Sequence, residues 1–559
     1  MPGGQFHEES HIETPPLLRH WRGLGIWNLY FLAKFALLWG GFLDFHPLAN
    51  LTFAAALLVP LPPVWLHRLR HIVAIPAGVA LFYYDTWLPP ASRLLTGAEE
   101  ISKFSTDYLL ELVQRFIDVP MIGAALVLLV AYLFLSQWLR ATVFTVAALL
   151  YVALPSLPKP IVTQAIVHAA VNTPAQTAAQ LATATPASDA TAKAAPLPPT
   201  SANLEAHLQA FYKYEKTRKT AFPPITGHAS PFDLLILNIC SLSWADLEDV
   251  NLSNHPLFGK MDIIFDNFNS ATSYSAPAGI RLLRASCGQE PHSALYKPPA
   301  SGCFLLENLH ELGFTTSLAL NHDGKYGGYL DTLRTQGQLP APTVKTAQLP
   351  RALNAFDGSP VWRDLDVLNA WWQQRQQTPA QREALFYNTI TLHDGNRFII
   401  PNGGSKRAEY QPRLQALLDD LSTFLAELER SGRPVVVLIV PEHGAALRGD
   451  RLQIAGLREI PSPDITHVPV LVKLIGVKTP HQGGPIQISD QSSFLALSEI
   501  VSRLRDGKAF SAPDFDWQAL VKDLPKTERV SETDSSIVMF YQNSPYIRLG
   551  DSGWQEYPH

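Results

Sequence analysis

Apolar positions are spread very unevenly along this chain. Long, nearly uninterrupted apolar stretches fill the first 157 residues, and the remainder alternates short apolar runs with polar connections, as water-soluble domains do. Five stretches, roughly Leu29 to Phe45, Ala49 to Leu66, Ile72 to Leu88, Met121 to Trp138 and Ala141 to Leu157, each approach the ~20 residues a bilayer requires. They predict an N-terminal all-α polytopic membrane domain with five transmembrane helices over 1–157. The first stretch starts too late and runs too long for a cleavable signal, and further apolar stretches follow it instead of a cleavage site. Arg19 and Arg22 precede it, His67, Arg68, Arg70 and His71 lie between the second and third, and Arg140 lies between the fourth and fifth. By the positive-inside rule the N-terminus is expected in the cytoplasm and everything after Pro158 outside.

Between the third and fourth stretches, Ile101, Phe104, Tyr108, Leu112, Val113 and Phe116 recur at helical spacing among Glu100, Lys103, Asp107, Glu111 and Arg115. This pattern predicts an amphipathic helix, lying on the outer membrane surface or packed on protein. From Pro174 to Thr200 the chain is almost entirely Ala, Thr and Pro, which cannot bury enough apolar surface to offset ordering. The expected organisation is therefore a membrane domain over 1–157, a flexible tether over 158–202 and a catalytic α/β domain over 203–559.

Within that last part, two apolar runs end on metal-ligand types. Leu234 to Ile239 leads into Cys240, and Val435 to Val440 leads into Pro441, Glu442, His443 and Gly444. Continuous Val/Ile/Leu runs read as buried strands of a parallel sheet, and ligands gather at the carboxyl ends of such strands. A thiol, a carboxylate and an imidazole brought together there would suit zinc. Between the two runs, Ser275 precedes Pro277 at the front of an apolar-periodic stretch and so marks a helix start. A hydroxyl at that point meets unpaired backbone N–H groups and the positive end of the helix, which favour a phosphate; serine is also a common helix cap.

Charge and cysteine content narrow the picture. A net charge of −5 over 559 residues gives no reason to expect nucleic acid. Of three cysteines, Cys287 and Cys303 flank a Gly/Pro-rich loop. Either these two pair in an oxidising compartment and leave Cys240 as the odd thiol, or all three remain reduced.

Asn238-Ile-Cys240-Ser-Leu-Ser-Trp244, Phe268-Asn-Ser-Ala-Thr-Ser-Tyr-Ser275, Ile280-Arg-Leu-Leu-Arg-Ala-Ser-Cys287-Gly288, Phe356-Asp-Gly-Ser-Pro360, Leu392-His393-Asp394-Gly395-Asn396 and Pro441-Glu-His-Gly444 follow one another in an order that resembles the alkaline phosphatase superfamily. Within it the chain is similar to the phosphoethanolamine transferases, and more closely to those acting on cellulose and encoded beside bacterial cellulose synthase. The resemblance implies an alkaline-phosphatase-like α/β sandwich with a mostly parallel sheet. It implies that Cys240, Glu442 and His443 hold Zn2+ with Ser275 as a fourth contact, and that Ser275 is the nucleophile. Tyr274 and His393 fall at catalytic positions, and Arg458, with His393, at a substrate-binding one. Relatives acting on lipid A typically have Thr and a carboxylate where this chain has Ser275 and Cys240, which makes lipid A a poorer fit as acceptor.

The expected reaction moves phosphoethanolamine from phosphatidylethanolamine to the glucose 6-hydroxyl of cellulose through a phosphoserine-type intermediate, with ping-pong kinetics and with cellulose synthase subunits as partners. One alternative is a phosphodiesterase or other hydrolase of the same superfamily. A formylglycine sulfatase fits less well, because Ser275-Ala-Pro277-Ala-Gly279 lacks the Arg of that motif. Another alternative is a non-catalytic scaffold of the synthase complex.

Overall fold

The computed structural model describes residues 23–40, 43, 45–61, 64–86, 104–115, 119–154, 197–226, 230–379, 381–401 and 404–558. The chain divides into two compact units, Met1–Leu88 with Asp118–Leu197, and Pro89–Ile117 with Pro198–His559. Arg19 and Arg22, residues 100–103 and most of the Ala/Thr/Pro-rich stretch lie outside the described residues.

The first unit is helical: α1 (Trp27–Trp39), α2 (Pro47–Leu58), α3 (Val64–Tyr84), and, after the 89–117 excursion, α5 (Val119–Leu135) and α6 (Ala141–Ala153). The five-span expectation does not hold, because no helix among the described residues is long and apolar enough to cross a membrane. Four of the five have 13, 12, 17 and 13 residues, short of the ~20 needed. The apolar stretches read as single spans run past real helix ends, at Gly40 after α1 and at Val59 and Pro60 after α2. The fifth, α3, has 21 residues but includes His67, Arg68, Arg70, His71 and an internal Pro76. A buried polar cluster ties the first three together: Lys34 pairs with Asp85 and donates to Asn50 Oδ1 at 2.7 Å, while Asn50 donates to Asp85 Oδ2 at 2.6 Å.

In the second unit, α4 (Thr106–Arg115) comes first, and the chain resumes at Leu197 to enter α7 (Ser201–Glu215), capped by the Thr200 side chain. The site is built on a seven-stranded sheet: β1 (Asp233–Ile239), β2 (Ile263–Asn269), β3 (Thr315–Leu320), β4 (Glu383–Thr389), β5 (Val435–Pro441), β6 (His467–Ile475) and β7 (Ile486–Ile488). Their spatial order is β7-β2-β6-β5-β1-β4-β3. All neighbours are parallel except β6, which runs antiparallel to both β2 and β5.

Why the runs are continuous is visible in β1, where every residue is buried. Leu234 and Ile236 point into one core, with Leu282, Leu283, Leu497 and Ile500, while Leu235, Leu237 and Ile239 point into another, with Leu368, Trp371, Leu414 and Leu421. Alternate side chains thus feed helical layers on both faces, and each fully buried Leu or Ile contributes roughly 1.5–3 kcal/mol. The result is a three-layer sandwich. A short four-stranded antiparallel sheet (Arg351–Asn354, Pro360–Trp362, Arg397–Ile400, Gly404–Arg407) flanks it near the carboxyl ends of β3 and β4.

The amphipathic segment before α5 packs on protein. Phe104, Tyr108 and Leu112 join Leu353, Ala355, Phe356 and Val361 in one apolar cluster of the second unit, and Ser105 N donates to the Phe356 carbonyl at 3.1 Å.

Candidate metal and nucleophile site

Adjacent parallel strands bring together residues some 200 positions apart. β1 and β5 pair in register, Ile239 opposite Pro441, so the residues just beyond their ends, Cys240 and Glu442-His443, emerge side by side. Two backbone bonds continue this alignment past the strands: Glu442 N donates to the Ile239 carbonyl at 2.8 Å, and Leu242 N to the His443 carbonyl at 2.7 Å. Asp246 joins the two loops. Its Oδ2 accepts from Ser243 N, Ser243 Oγ and Ala445 N at 2.9, 2.9 and 2.7 Å. Gly444 passes so close to Ser243 that a Cβ would lie 2.6 Å from its hydroxyl, which leaves room for no larger residue.

The loop after β2 delivers Ser275. Tyr274, with extended backbone, is the N-cap of α8 (Ser275–Leu283), and Ser275 is its first helical residue. Its Oγ lies 3.4 Å from Cys240 Sγ and 3.3 Å from His443 Nε2. Potential ligand atoms of Cys240, Glu442 and His443 all lie within 4.8 Å of one another, and the three residues are buried.

Electrostatics show what this pocket lacks. Burial, followed by the neighbouring Glu442, pushes the Cys240 thiol up to about 12. Glu442 is also raised, chiefly by burial. His443 is driven well below its ordinary value by burial and then by the Arg458 guanidinium. Burial thus shifts both acids and the base toward their neutral forms. Glu442 Oε2 is buried and no hydrogen bond of normal geometry reaches it, although Ser275 and Cys240 are near enough to favour its charged form. A buried, under-satisfied carboxylate oxygen beside a thiol and an imidazole is what a divalent cation would complete, and the donor set of sulfur, oxygen and nitrogen suits zinc.

The imidazoles are oriented for those tasks. His443 Nδ1 lies 2.9 Å from the Gly444 carbonyl, to which it must donate, so Nε2 keeps its lone pair toward Ser275. His393 repeats the arrangement, with Nδ1 donating to the Asp394 carbonyl at 2.7 Å. Burial, then Arg458, lowers His393 to about 4, and its ring stacks on Phe356 with centroids 4.8 Å apart. His393 is therefore a neutral imidazole with Nε2 free to accept a proton. Arg458 Nη1 donates to Ser241 Oγ at 2.9 Å and lies 3.3 Å from His443 Nδ1, at the edge of the site. Tyr274 points elsewhere: its hydroxyl donates to Glu459 Oε1 at 2.7 Å.

Sequence reasoning missed a second layer. Asn388, at the end of β4, donates to Glu442 Oε1 at 2.6 Å and to Asn238 Oδ1 at 2.9 Å, and Tyr329 OH donates to the same Oε1 at 3.0 Å. His322 completes the chain, accepting from Gly324 N on Nδ1 and donating through Nε2 to Asn388 Oδ1 at 2.9 Å. The available signal was the pair of asparagines embedded in fully buried apolar strands, which demand polar partners. His467 has no part in this chain and donates instead to the Asp266 carbonyl. If the trio holds a cation, replacing Asn388 by alanine is expected to lower affinity for added Zn2+ roughly 10- to 100-fold, because the Glu442 carboxyl loses its orienting donor. Competitive titration with a chromophoric chelator measures this, and an unchanged affinity would remove Asn388 from the site. Elsewhere, Cys287 and Cys303 are joined by a disulfide, and Cys240 is the free thiol.

Comparison with known proteins extends over the whole chain. A family model described as the cellulose biosynthesis protein BcsG C-terminal domain matches residues 187–554, and one described as the BcsG N-terminal domain matches 27–154. The cellulose biosynthesis protein BcsG of Salmonella typhimurium is 50% identical over 563 residues, covering 98% of this chain and 100% of the relative. That of Escherichia coli is 50% identical over 564 residues, covering 99% and 100%. Among solved structures, a protein of the alkaline phosphatase superfamily from Vibrio parahaemolyticus aligns with a TM-score of 0.45 at 14% identity, over 63% of this chain and 87% of that one. The C-terminal periplasmic domain of EcEptC from Escherichia coli in complex with Zn aligns with a TM-score of 0.38 at 15% identity, over 56% and 94%.

Proposed function

The chain belongs to the cellulose biosynthesis protein BcsG family, and on that premise we propose that it is a zinc-dependent transferase moving phosphoethanolamine from phosphatidylethanolamine to the glucose 6-hydroxyl of cellulose. The observation that carries this reading is the position of Ser275 Oγ, at a helix N-terminus and within 3.4 Å of both Cys240 Sγ and His443 Nε2. Cys240, Glu442 and His443, with Ser275, would hold the zinc. Bound there, it would lower the pKa of the serine hydroxyl and neutralise charge on the phosphoryl oxygens.

The chain's own groups account for the rest. Ser275 Oγ attacks the phosphodiester, the bond to diacylglycerol breaks, and the serine's proton ends on the departing diacylglycerol oxygen. Free N–H groups in the first turn of α8 favour the phosphoryl charge. In the second half the acceptor hydroxyl attacks phosphorus, the bond to Ser275 breaks, and the acceptor's proton returns to Ser275. His393, neutral and with Nε2 free, is the shuttle for both transfers. Arg458 has the planar donor fork that suits a phosphate oxygen. Two half-reactions sharing one covalent intermediate give ping-pong kinetics.

Family membership supports cellulose and the synthase machinery as the working context. The Cys287–Cys303 bridge supports an oxidising, periplasmic setting for the second unit. The test is intact-mass and peptide mass spectrometry of the full chain after incubation with phosphatidylethanolamine. The expected result is one phosphoethanolamine ester, on Ser275, that decays when a cello-oligosaccharide is added. Release of free phosphoethanolamine at a rate indifferent to acceptor would instead identify a hydrolase.

A further inference from the structure

A cleft of about 340 Å³ opens between α4 and the loops that follow Leu392 and Gly444. Its polar wall includes Glu111, Asp394, Arg407, Glu409, Tyr410 and Arg413, and residues 445–447 and 454–456 close it. That size lies at the lower end of the roughly 300–1,000 Å³ of small-molecule pockets.

The cleft shares its floor with the reaction centre. Asp394 directly follows His393, and Arg413 Nη1 donates to the carbonyls of Thr391 and His393 at 2.7 and 2.9 Å. Tyr410 OH donates to the carbonyl of Ser241, the residue after Cys240, at 2.7 Å. Ala445 lies two residues past His443, and Gly456 two before Arg458. A ligand seated here would therefore rest on the side chains that hold the backbone of Ser241 and His393.

Its charged groups balance in sign and are already engaged. Glu111 lies 3.6 Å from Arg397 and 3.3 Å from Arg407, Glu409 lies 3.6 Å from Arg407, Asp394 Oδ2 accepts from Tyr108 OH at 3.1 Å, and Arg413 donates to carbonyls. An ionic ligand would have to compete with these partners. A neutral polyol would not, because carboxylates and guanidinium groups keep spare acceptor and donor capacity for hydroxyls.

We propose that this cleft is the acceptor subsite, taking a short stretch of neutral glucan and presenting a primary hydroxyl to His393. The assignment rests on the transferase reading above. It makes α4, which precedes the rest of the catalytic unit by some eighty residues, a wall of the acceptor site. The lipid donor is the other substrate that could enter the cleft, and the two half-reactions separate it from the glucan.

The experiment uses the full chain, phosphatidylethanolamine in mixed micelles and cellopentaose, with Ala455→Trp to fill the exposed rim of the cleft and Glu111→Gln to alter its α4 wall. The rate of ester formation on Ser275 reads the donor step and also reports correct folding. The cellopentaose concentration giving half-maximal transfer reads the acceptor step. Loading is expected to stay within about twofold of the native rate in both variants. Half-saturation should rise roughly tenfold or more in Ala455→Trp, the equivalent of about 1.4 kcal/mol, and by less in Glu111→Gln. Unchanged half-saturation in Ala455→Trp overturns the assignment, and so does slowed loading in both variants, which would give the cleft to the lipid. If the native chain forms no ester on Ser275, the transferase reading itself fails.

Discussion

Ser275→Ala is expected to abolish phosphoethanolamine transfer, by roughly 10⁴-fold or more, while the protein folds and accumulates normally. The size of the effect follows from removing the atom that forms the covalent bond, for which neither His393 nor Arg458 can substitute. The mildness of the structural effect follows from its surroundings. Ser275 is half-buried at the first position of α8, its hydroxyl lies against Cys240 Sγ, His443 Nε2 and the Glu442 carboxyl, and alanine suits a helix. Thermal unfolding should move by no more than the ±0.5 kcal/mol typical of benign substitutions. Phosphoethanolamine on the polymer and the ester on the protein are the two readouts. Unchanged labelling of the polymer rejects Ser275 as nucleophile.

The second large effect concerns the thiol. Native protein is expected to copurify with about one zinc per chain, and Cys240→Ala to lose it together with activity, since a ligand is removed and not merely its support. Stability separates this from a packing defect. A cation held at 1,000 times its Kd stabilises the folded state by about 4 kcal/mol, so a chelator should lower the unfolding temperature of the native chain. The same chelator should leave Cys240→Ala unmoved, because that variant has no ion to lose. Native protein with no stoichiometric metal, or equal chelator sensitivity in both, would contradict the site and favour a scaffold without catalysis.

The legible part of this molecule was where local pattern and tertiary role coincide. β1 and β5 are buried on both faces, so they must be continuous apolar runs, and their ends had to be where Cys240, Glu442 and His443 stand. Ser275 was legible for a similar reason, since Pro277 marks the helix start. The misread part was the first unit. There, apolar content runs on past the helices, since Gly40, Val59 and Pro60 end them inside the expected spans. What could not be read was Tyr329 on Glu442, a contact between residues 113 positions apart that no local pattern encodes. Tyr274, an expected catalytic group, stands at the N-cap position of α8 with its hydroxyl donating to Glu459, a partner no local pattern announces.

Chain order also has a practical result. Because 89–117 belongs with the C-terminal unit while the helices on either side of it in sequence belong elsewhere, the polypeptide leaves one unit, visits the other and returns before finally committing to it near Pro198. A truncated protein starting there would retain the sheet, Ser275 and the thiol–carboxylate–imidazole trio, yet arrive without Tyr108 and Glu111. Such a fragment should still capture the lipid headgroup but hand it on poorly. Supplying residues 104–115 as a separate peptide would be the natural attempt at repair.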